Sequence, residues 1–327
     1  MSFMRIGLLV SIAFAAGCAG EKEGVDTQDA PLTSAWSAVA PLPTFRSGFA
    51  ATAGKDGKVY VLGGSNGGYV VGSNADPNVV PWQTCFVYSP ATNQWSACPN
   101  VPTARRFLAA VTVPDGRILA IGGEAPDVGY LGVVEAYDPS TNTWQTVAPM
   151  PTPRSFLGAA VGSDGNVYAM GGWDRSPWET ALSNVEVYSP STNTWKSAPS
   201  MPTARAGVGV ASGADGRIYA IGGQRNGWRE LEDLKRAEAL DPRTGLWTTL
   251  ASPPEPVIGR VSMAGGEVYA SWGAHVYSYD PARDGWKPAP SLPTTREVLV
   301  GSSDRLYALG GYDSSGSQSN LVFVAQP

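Results

Sequence analysis

Short apolar runs alternate with polar turn sequences along this chain, and the pattern returns about every 50 residues. Five of the runs end in two glycines, VYVLGG, ILAIGG, VYAMGG, IYAIGG and LYALGG, and a degraded sixth reads VYASWG. Glycine-rich and proline-rich turn sequences such as PDG and DPSTN separate the runs. Many short strands with this period are typical of the blades of a β-propeller.

A second pattern follows each apolar run, in which tyrosine, tryptophan, proline and arginine recur at constant spacing. One copy is Tyr137, Trp144, Pro151 and Arg154. Three further copies keep all four residues: Tyr88, Trp95, Pro102, Arg105; Tyr188, Trp195, Pro202, Arg205; and Tyr279, Trp286, Pro293, Arg296. Weaker copies contain Trp247 and Trp36. A large flat ring fills the wedge between twisted sheets, so the repeated tryptophan is interpreted as core between blades.

A strand ending in Gly-Gly, a variable loop and the Tyr-Trp pair resemble the kelch repeat from about Trp36 to the end of the chain. The resemblance implies an all-β fold, a six-bladed kelch-type β-propeller over residues 34–327. The chain ends in LVFVAQP, a third strand without a fourth, and the propeller begins with WSAVA, a fourth strand without a blade. The N-terminal strand is therefore expected to close the last blade and leave no open edge.

Residues 1–17 are predicted to be an export signal, because Arg5 precedes an apolar run too short to span a bilayer. The small residues before Cys18 resemble a bacterial lipoprotein signal, which implies lipidation at Cys18 and a place in the cell envelope, at the outer membrane or the periplasmic face. Ala15 stands where leucine is more usual, so plain secretion is the alternative. Residues 18–33 are predicted to be a flexible tether, so contact with the membrane is expected only through the lipid.

The charge pattern argues against nucleic acid as a partner, because the net charge is −5 and no run of Lys and Arg occurs. His275 is the sole histidine. A single histidine excludes two-histidine metal sites and the copper site of galactose-oxidase-like kelch enzymes, and no phosphate loop or dinucleotide motif occurs. We therefore expect no metal, no cofactor and a monomer, and interpret His275 as structural.

Cys85 and Cys98 are predicted to form a disulfide. If Tyr88 lies opposite Trp95 in an antiparallel hairpin, Cys85 lies opposite Cys98. Facing Cα atoms are about 4.5–5.5 Å apart, which a disulfide can bridge. Export would place the pair in an oxidising compartment. Two buried free thiols are the alternative.

The residue after each repeated arginine and the residue after each Gly-Gly are predicted to share one rim of the channel, where the loops between second and third strands also open. The predicted ligand-binding residues on this face are Ser47, Ser65, Arg106, Glu124, Ser155, Trp173, Gln224, Trp228, Glu297 and Tyr312. Trp82, Trp173, Trp178 and Trp228 lie outside the repeat. They suit sugar or peptide recognition, or else pack within their own loops. The repeated arginine either pairs with backbone or carboxylates between blades or lines a polar mouth.

Two functions remain open, since the kelch resemblance does not imply one. The favoured one is a non-enzymatic binding module at the cell envelope that recognises a protein or a glycan. The alternative is a small-sugar enzyme resembling the periplasmic kelch sialic-acid mutarotases, for which Glu124, Glu297 and Arg106 would supply an acid or base and an anion-binding group. Approach of Arg106 and a carboxylate to within about 5 Å would favour the enzyme.

Overall fold

The chain folds into six four-stranded antiparallel sheets arranged as the blades of a propeller, which confirms the predicted fold class. The computed structural model describes residues 35–66, 82–125, 128–174, 180–225, 231–295, 298–311 and 317–326. The strands of each blade are called a to d from the channel outward. Each strand a contacts strand a of the next blade, and the contacts return from blade 6 to blade 1. Over these ranges the chain contains no helix long and apolar enough to cross a membrane.

The strand bounds repeat closely from blade to blade. Blade 1 comprises Ala50–Ala53, Val59–Leu62, Cys85–Ser89 and Gln94–Cys98. Blade 2 comprises Ala109–Thr112, Ile118–Ile121, Val134–Asp138 and Thr143–Val147. Blade 3 comprises Gly158–Val161, Val167–Met170, Val185–Ser189 and Thr194–Ala198. Blade 4 comprises Gly209–Ser212, Ile218–Ile221, Ala237–Asp241 and Leu246–Thr249.

Blade 5 comprises Val261–Ala264, Glu267–Trp272, His275–Asp280 and Gly285–Ala289. Blade 6 comprises Val298–Gly301, Leu306–Leu309, Val322–Ala325 and, as its strand d, Ser37–Val39. Two short ribbons extend the loops after strand b in blades 2 and 4: Glu124–Ala125 with Gly129–Tyr130, and Gln224–Arg225 with Glu232–Asp233.

The N-terminal strand closes the ring as predicted. Ser37 pairs with Val324 and Val39 with Val322 in an antiparallel register. The first and last segments of the propeller thus share one sheet, and strand c of blade 6 has neighbours on both sides.

Strand b is the most buried element of each blade because both of its faces are covered. All four residues of Ile118–Ile121 are buried, as are those of the equivalent strands in blades 1, 3, 4 and 6. This burial explains the continuous apolar runs in the sequence. The Gly-Gly pair that follows needs its glycines. Gly123 has φ +97°, and a Cβ there would lie 2.6 Å from the carbonyl oxygen of Arg106.

The six repeated tryptophans bind each blade to the one before it. Each indole Nε1 donates to a carbonyl oxygen just beyond strand d of the preceding blade, at 2.7–2.9 Å. Trp36 donates to Pro290 and Trp95 to Ala40, so the same contact also spans the ring closure. The tryptophans therefore lie between blades, as the repeat predicted, but they are only partly buried and pack against the core clusters from the outer strands.

The predicted disulfide joins Cys85 and Cys98 across strands c and d of blade 1. The register that predicted it is present, because Tyr88 pairs with Trp95 and Cys85 with Cys98. The two Cα atoms are 5.1 Å apart. The bridge fixes this hairpin just after the loop between strands b and c of blade 1.

Candidate functional site

A collar of backbone hydrogen bonds runs along the channel through blades 1 to 5, on the face where strand a begins. The collar residues of these five blades, each two positions after the repeated arginine or its replacement, are Gly48, Phe107, Phe156, Gly207 and Gly259. Each amide from Phe107 onward donates to the carbonyl of the previous collar residue, at 2.6–3.0 Å. All five have φ between +54° and +64°. One left-handed turn is thus repeated in each of these five blades.

Two bulky residues occupy this turn where three blades use glycine. Phe107 and Phe156 both have φ +54°, a region that bulky L-residues avoid. Such a conformation costs on the order of 1–3 kcal/mol per residue and is found most often at functional sites. The two rings stack with centroids 3.9 Å apart and planes inclined by 20°. Both rings face the channel.

A cavity of about 360 Å³ lies within the ring of inner strands, below the collar. Its wall contains the collar residues together with small and apolar side chains from strand a of the blades, and its polar side chains are Ser47 and Arg260. The volume lies within the range of small-ligand pockets. The two stacked rings are part of the cavity wall, because Phe107 and Phe156 both line the cavity.

Arg106 and Glu124 form an ion pair at the mouth, outside the collar. Their backbones form an isolated β-bridge, and Arg106 Nε lies 2.6 Å from Glu124 Oε1. The side chains are 14% and 18% exposed. The Arg106 guanidinium also lies 4.9 Å from the centre of the Phe107 ring, so charge and aromatic surface meet at one point.

The positions predicted to share one rim also pair with each other in the first four blades. Bridges join Ser47 with Ser65, Arg106 with Glu124, Ser155 with Trp173, and Ala206 with Gln224. The side chains differ in access. Ser47, Ser65, Ser155 and Trp173 are buried. Gln224 is partly buried and donates to Asp233. Trp173 is 2% exposed, which favours the loop-packing interpretation of this tryptophan.

Several candidate residues lie outside the described part of the chain. They are Cys18, Trp178, Trp228, Arg296, Glu297 and Tyr312, together with positions 67–81 of the first loop. Their assignments stay predictions. Of the predicted rim set, the structure brings Arg106 and Glu124 together and places both beside the collar.

In the part of the chain that the structure describes, the repeated arginine is buried within its own blade and does not line the mouth. Arg105, Arg154 and Arg205 have fully buried side chains and pair with strand c glutamates of their own blades, Glu135, Glu186 and Glu238, at 2.5–2.7 Å. The expected pairing with carboxylates and backbone is present, but the carboxylate belongs to the same blade and does not lie across the interface. Burial lowers the pKa of Arg205 to about 10 even though Glu238 opposes that shift.

The main chain of the same arginines makes the contact between blades. The carbonyl of Arg105 accepts from Gly64 of blade 1, and those of Arg154 and Arg205 accept from Gly123 and Gly172, at 3.0–3.1 Å. The arginine and Gly-Gly motifs are therefore two halves of one interface. This explains why both recur with the same period.

Blade 1 replaces the glutamate with an aromatic cage. Phe86 stands where blades 2, 3 and 4 have glutamate. The Arg46 guanidinium lies 4.7 Å from the centre of the Phe86 ring and 5.0 Å from that of Trp82. Burial lowers the pKa of Arg46 to about 10. Trp82 therefore has a structural role, although it lies outside the tryptophan repeat.

Sequence reasoning missed Phe107 and Phe156. A signal was present, because the sequence reads Arg-Ser-Gly at 46–48 and Arg-Ala-Gly at 205–207 but Arg-Arg-Phe at 105–107 and Arg-Ser-Phe at 154–156. A bulky residue that replaces glycine in two of several aligned copies indicates a turn with positive φ and a reason to tolerate it.

His275 lies on the surface of blade 5, where strands b and c are joined by a tight turn. Its side chain is 60% exposed, and Nδ1 lies 2.9 Å from Glu255 Oε2. The histidine has a partner, but it is not part of the core. Across the described ranges no cluster of three metal-ligating side chains occurs.

Comparison with known proteins assigns the family. A model described as the KLHDC2/KLHL20/DRC7 Kelch-repeats domain matches residues 65–265, which is more than half of the chain. The chain belongs to the kelch-repeat family. Among solved structures, this kelch propeller is similar to one described as "Structure of YjhT", with a TM-score of 0.69 and 16% identity over 86% of this chain and 95% of that one. At this identity the likeness shows the fold alone.

Curated relatives of the propeller match it over part of their length. Kelch-like protein 35 of Mus musculus is 28% identical over 152 residues, covering 45% of this chain and 26% of that protein. Kelch domain-containing protein 8B of Rattus norvegicus is 29% identical over 157 residues, covering 42% of this chain and 44% of that protein. The chain thus spans less than half of either relative.

Proposed function

We propose that this kelch propeller is a binding module that takes a protein or glycan ligand at the channel mouth, beside the loops between strands b and c. The observation that carries the proposal is the stacked pair Phe107 and Phe156 in the left-handed region. The fold does not need phenylalanine there, because Gly48, Gly207 and Gly259 make the same turn without strain. An aromatic surface at the mouth is a reason for the sequence to bear that cost.

The surroundings of the two rings support binding at this place. Arg106 and Glu124 add a charged, hydrogen-bonding group beside the aromatic surface. Binding sites typically combine an apolar concave centre with a few placed polar groups. The rim ribbons at Glu124–Ala125 and Gln224–Arg225 extend the same face outward.

The experiment compares two double alanine variants, each of which removes one ion pair from blade 2. Wild type is screened against a displayed peptide library and a glycan array. The ligands that it selects are then tested for binding to Arg106→Ala/Glu124→Ala. The matched control is Asp115→Ala/Arg117→Ala, which removes an ion pair of 2.7 Å from the turn between strands a and b. Removing both partners leaves no lone charge in either variant. We expect ligands selected by wild type to be lost by the mouth variant and kept by the turn variant. Ligands that the mouth variant retains would refute the proposal.

A small-sugar enzyme is the second candidate, and one observation favours it. Arg106 and Glu124 approach to 2.6 Å, inside the separation that the enzyme hypothesis requires. A carboxylate held by a guanidinium can orient a sugar hydroxyl and accept its proton. The test is the rate at which the anomers of N-acetylneuraminic acid interconvert, followed by proton NMR. Catalysis that Glu124→Gln abolishes would support this candidate, and a rate equal to buffer alone would reject it.

We further propose that the propeller is exported and held at the envelope by a lipid on Cys18. The short apolar run and the small residues before Cys18 support this. Fractionation of Cys18→Ser tests it: the variant should be released from membranes, and retention would contradict the anchor.

A further inference from the structure

The collar applies one geometry to successive blades, so each collar side chain lies over the collar residue before it. A Cβ placed on Gly48 would lie 2.8 Å from Phe107 Cε1, which shows that the Phe107 ring covers that position. The Phe156 ring in turn stacks on the Phe107 ring. Arg106 lies against the Phe107 ring as well. The next member of the series is Gly207, which has the same backbone direction and no ring.

The cavity extends to the place where a third ring would lie. Phe156, Gly207 and Ile258 all belong to its wall. A Cβ built on Gly207 meets, among the described side chains, only Ile258 Cγ2, at 3.0 Å. We infer that an aromatic ring of the ligand occupies this place, stacked on Phe156. The place is called the collar subsite and is bounded by Phe156, Gly207, Ile258, Gly259 and Arg260.

The chemistry of the subsite favours an aromatic ring over a sugar. The amides of Gly207 and Gly259 already donate to the carbonyls of Phe156 and Gly207, at 2.8 and 2.7 Å. Phe156 and Ile258 offer no hydrogen bond. A pyranose would bury several hydroxyl groups here, and each buried hydroxyl without a partner costs free energy. An aromatic ring has no such groups and stacks on phenylalanine.

The inference rests on the binding function proposed above and makes it more specific. The ring is either the side chain of a peptide segment or a free aromatic molecule. The probes are 5-fluoroindole and the peptide acetyl-Gly-(5-fluoro-Trp)-Gly-amide, titrated against the full chain by fluorine NMR. Binding of the peptide at least tenfold tighter than of fluoroindole assigns a protein segment, and the reverse order assigns a small molecule. Methyl β-glucopyranoside is the competitor and should displace neither probe.

The decisive variant is Gly207→Phe, which should place its own ring in the collar subsite. Its φ of +59° is close to the +54° at Phe107 and Phe156, so the backbone already has the conformation that phenylalanine adopts at those two positions. The added Cβ lies 3.0 Å from Ile258 Cγ2, so that methyl group must shift by a few tenths of an ångström. The matched control is Gly57→Phe, with φ +75° in a turn on the opposite face. We expect Gly207→Phe to weaken both probes at least tenfold and Gly57→Phe to bind like wild type. Phe156→Leu is a second variant, which keeps an apolar side chain but removes the ring, and it should weaken both probes too.

Failure of the inference is distinct from failure of the proposed function. Probes that do not bind wild type, bind Gly207→Phe normally or are displaced by the glucoside overturn the collar subsite. If library ligands are then still lost by Arg106→Ala/Glu124→Ala, binding at the mouth stands without the subsite. If the probes bind as expected but the library ligands bind Arg106→Ala/Glu124→Ala as well as they bind wild type, the subsite stands and the proposed function of the face fails.

Discussion

At the scale of single residues, the collar shows that two very different residues, glycine and phenylalanine, can form the same turn. Glycine adopts φ near +60° at little steric cost, but phenylalanine does so under strain. The strain at Phe107 and Phe156 is offset by the stacking of their rings and by the burial of Phe107. The binding that we propose uses this difference, because the phenylalanines line one side of the mouth and the glycines leave the other side without side chains.

The strain at Phe156 predicts an inverted order of two substitutions. Phe156→Gly and Phe156→Ala both lose the ring, but only glycine also relieves the φ of +54°. We expect the glycine variant to be more stable by about 0.5–1 kcal/mol. At Leu157, whose φ is not in the left-handed region, the alanine variant should instead be the more stable. Urea unfolding of all four variants measures this. An alanine variant more stable than glycine at 156 would show that the turn is unstrained.

The repeated arginine shows how much one side chain depends on its surroundings. Arg105 is neutralised by Glu135, whereas Arg46 lies between the rings of Phe86 and Trp82. Both guanidinium groups are buried, and burial lowers the pKa of each. The repeat in the sequence indicated a common role for these arginines. It could not indicate the partner, because the glutamate is far from the arginine along the chain.

At the scale of elements, the turn between strands c and d connects neighbouring blades. Asn93, Asn142 and Asn193 have positive φ, and each Oδ1 accepts the hydroxyl of the repeated tyrosine at 2.7–3.0 Å. Asn93 and Asn193 also accept an amide of the preceding blade, from Ala40 and Ala148. One short turn therefore satisfies three requirements: its own backbone, the tyrosine and the neighbouring blade.

Blade 5 performs the same task with a carboxylate. Asp284 Oδ1 accepts from the Tyr279 hydroxyl at 2.6 Å and from the Ala251 amide at 2.8 Å. The Tyr279 hydroxyl first, and then the Ala251 amide, hold the pKa of the Asp284 carboxyl below its usual value. A carboxyl whose pKa is depressed in the folded state stabilises the fold above its unfolded pKa, and this contribution is lost as the pH falls through the folded pKa.

Asp284→Asn should therefore make the protein less sensitive to acid. The amide oxygen keeps both acceptor contacts, as the asparagines of other blades do, but it does not titrate between pH 7 and pH 3. We expect the free energy of unfolding to fall less between these pH values in the variant than in wild type. Asn193→Asp, which introduces the carboxyl into blade 3, should have the opposite effect. Urea titrations at both pH values are the measurement. Equal losses in wild type and Asp284→Asn would contradict the linkage.

At the scale of the whole molecule, the fold was predictable because its repeat is local and periodic. Gly-Gly, tyrosine and tryptophan mark strands that pair with their neighbours in sequence, so the register of Cys85 with Cys98 could be worked out from Tyr88 and Trp95. Ring closure was predictable because the last blade lacks a strand d in sequence and the N-terminal segment is a strand d without a blade of its own.

The candidate site was predictable only in part. The shared rim followed from the topology, and Arg106, Glu124 and Glu297 were candidates from the sequence. The structure shows that Glu124 is the carboxylate that pairs with Arg106. Burial of Trp173 and the distance between Phe107 and Phe156 depend on how loops and neighbouring blades approach each other. A sequence pattern that describes one blade at a time gives no information on how loops and neighbouring blades pack together. The shape of the mouth is therefore a property of the ring, not of one repeat.

Closure of the ring leads to the last prediction, that removing residues 34–43 destabilises the entire propeller. The deletion removes Ser37–Val39, which pair with Val322–Val324, and the Trp36 indole that donates to Pro290. It exposes the edge of strand c in blade 6 and one side of the blade 5 interface. We expect the melting temperature to fall by roughly 10 °C or more, since each kcal/mol lost corresponds to a few degrees in a chain of this size. Deletion of residues 19–33, the predicted tether, serves as the control and should leave the melting temperature unchanged. Equal melting temperatures for the two deletions would show that the ring holds without its N-terminal strand.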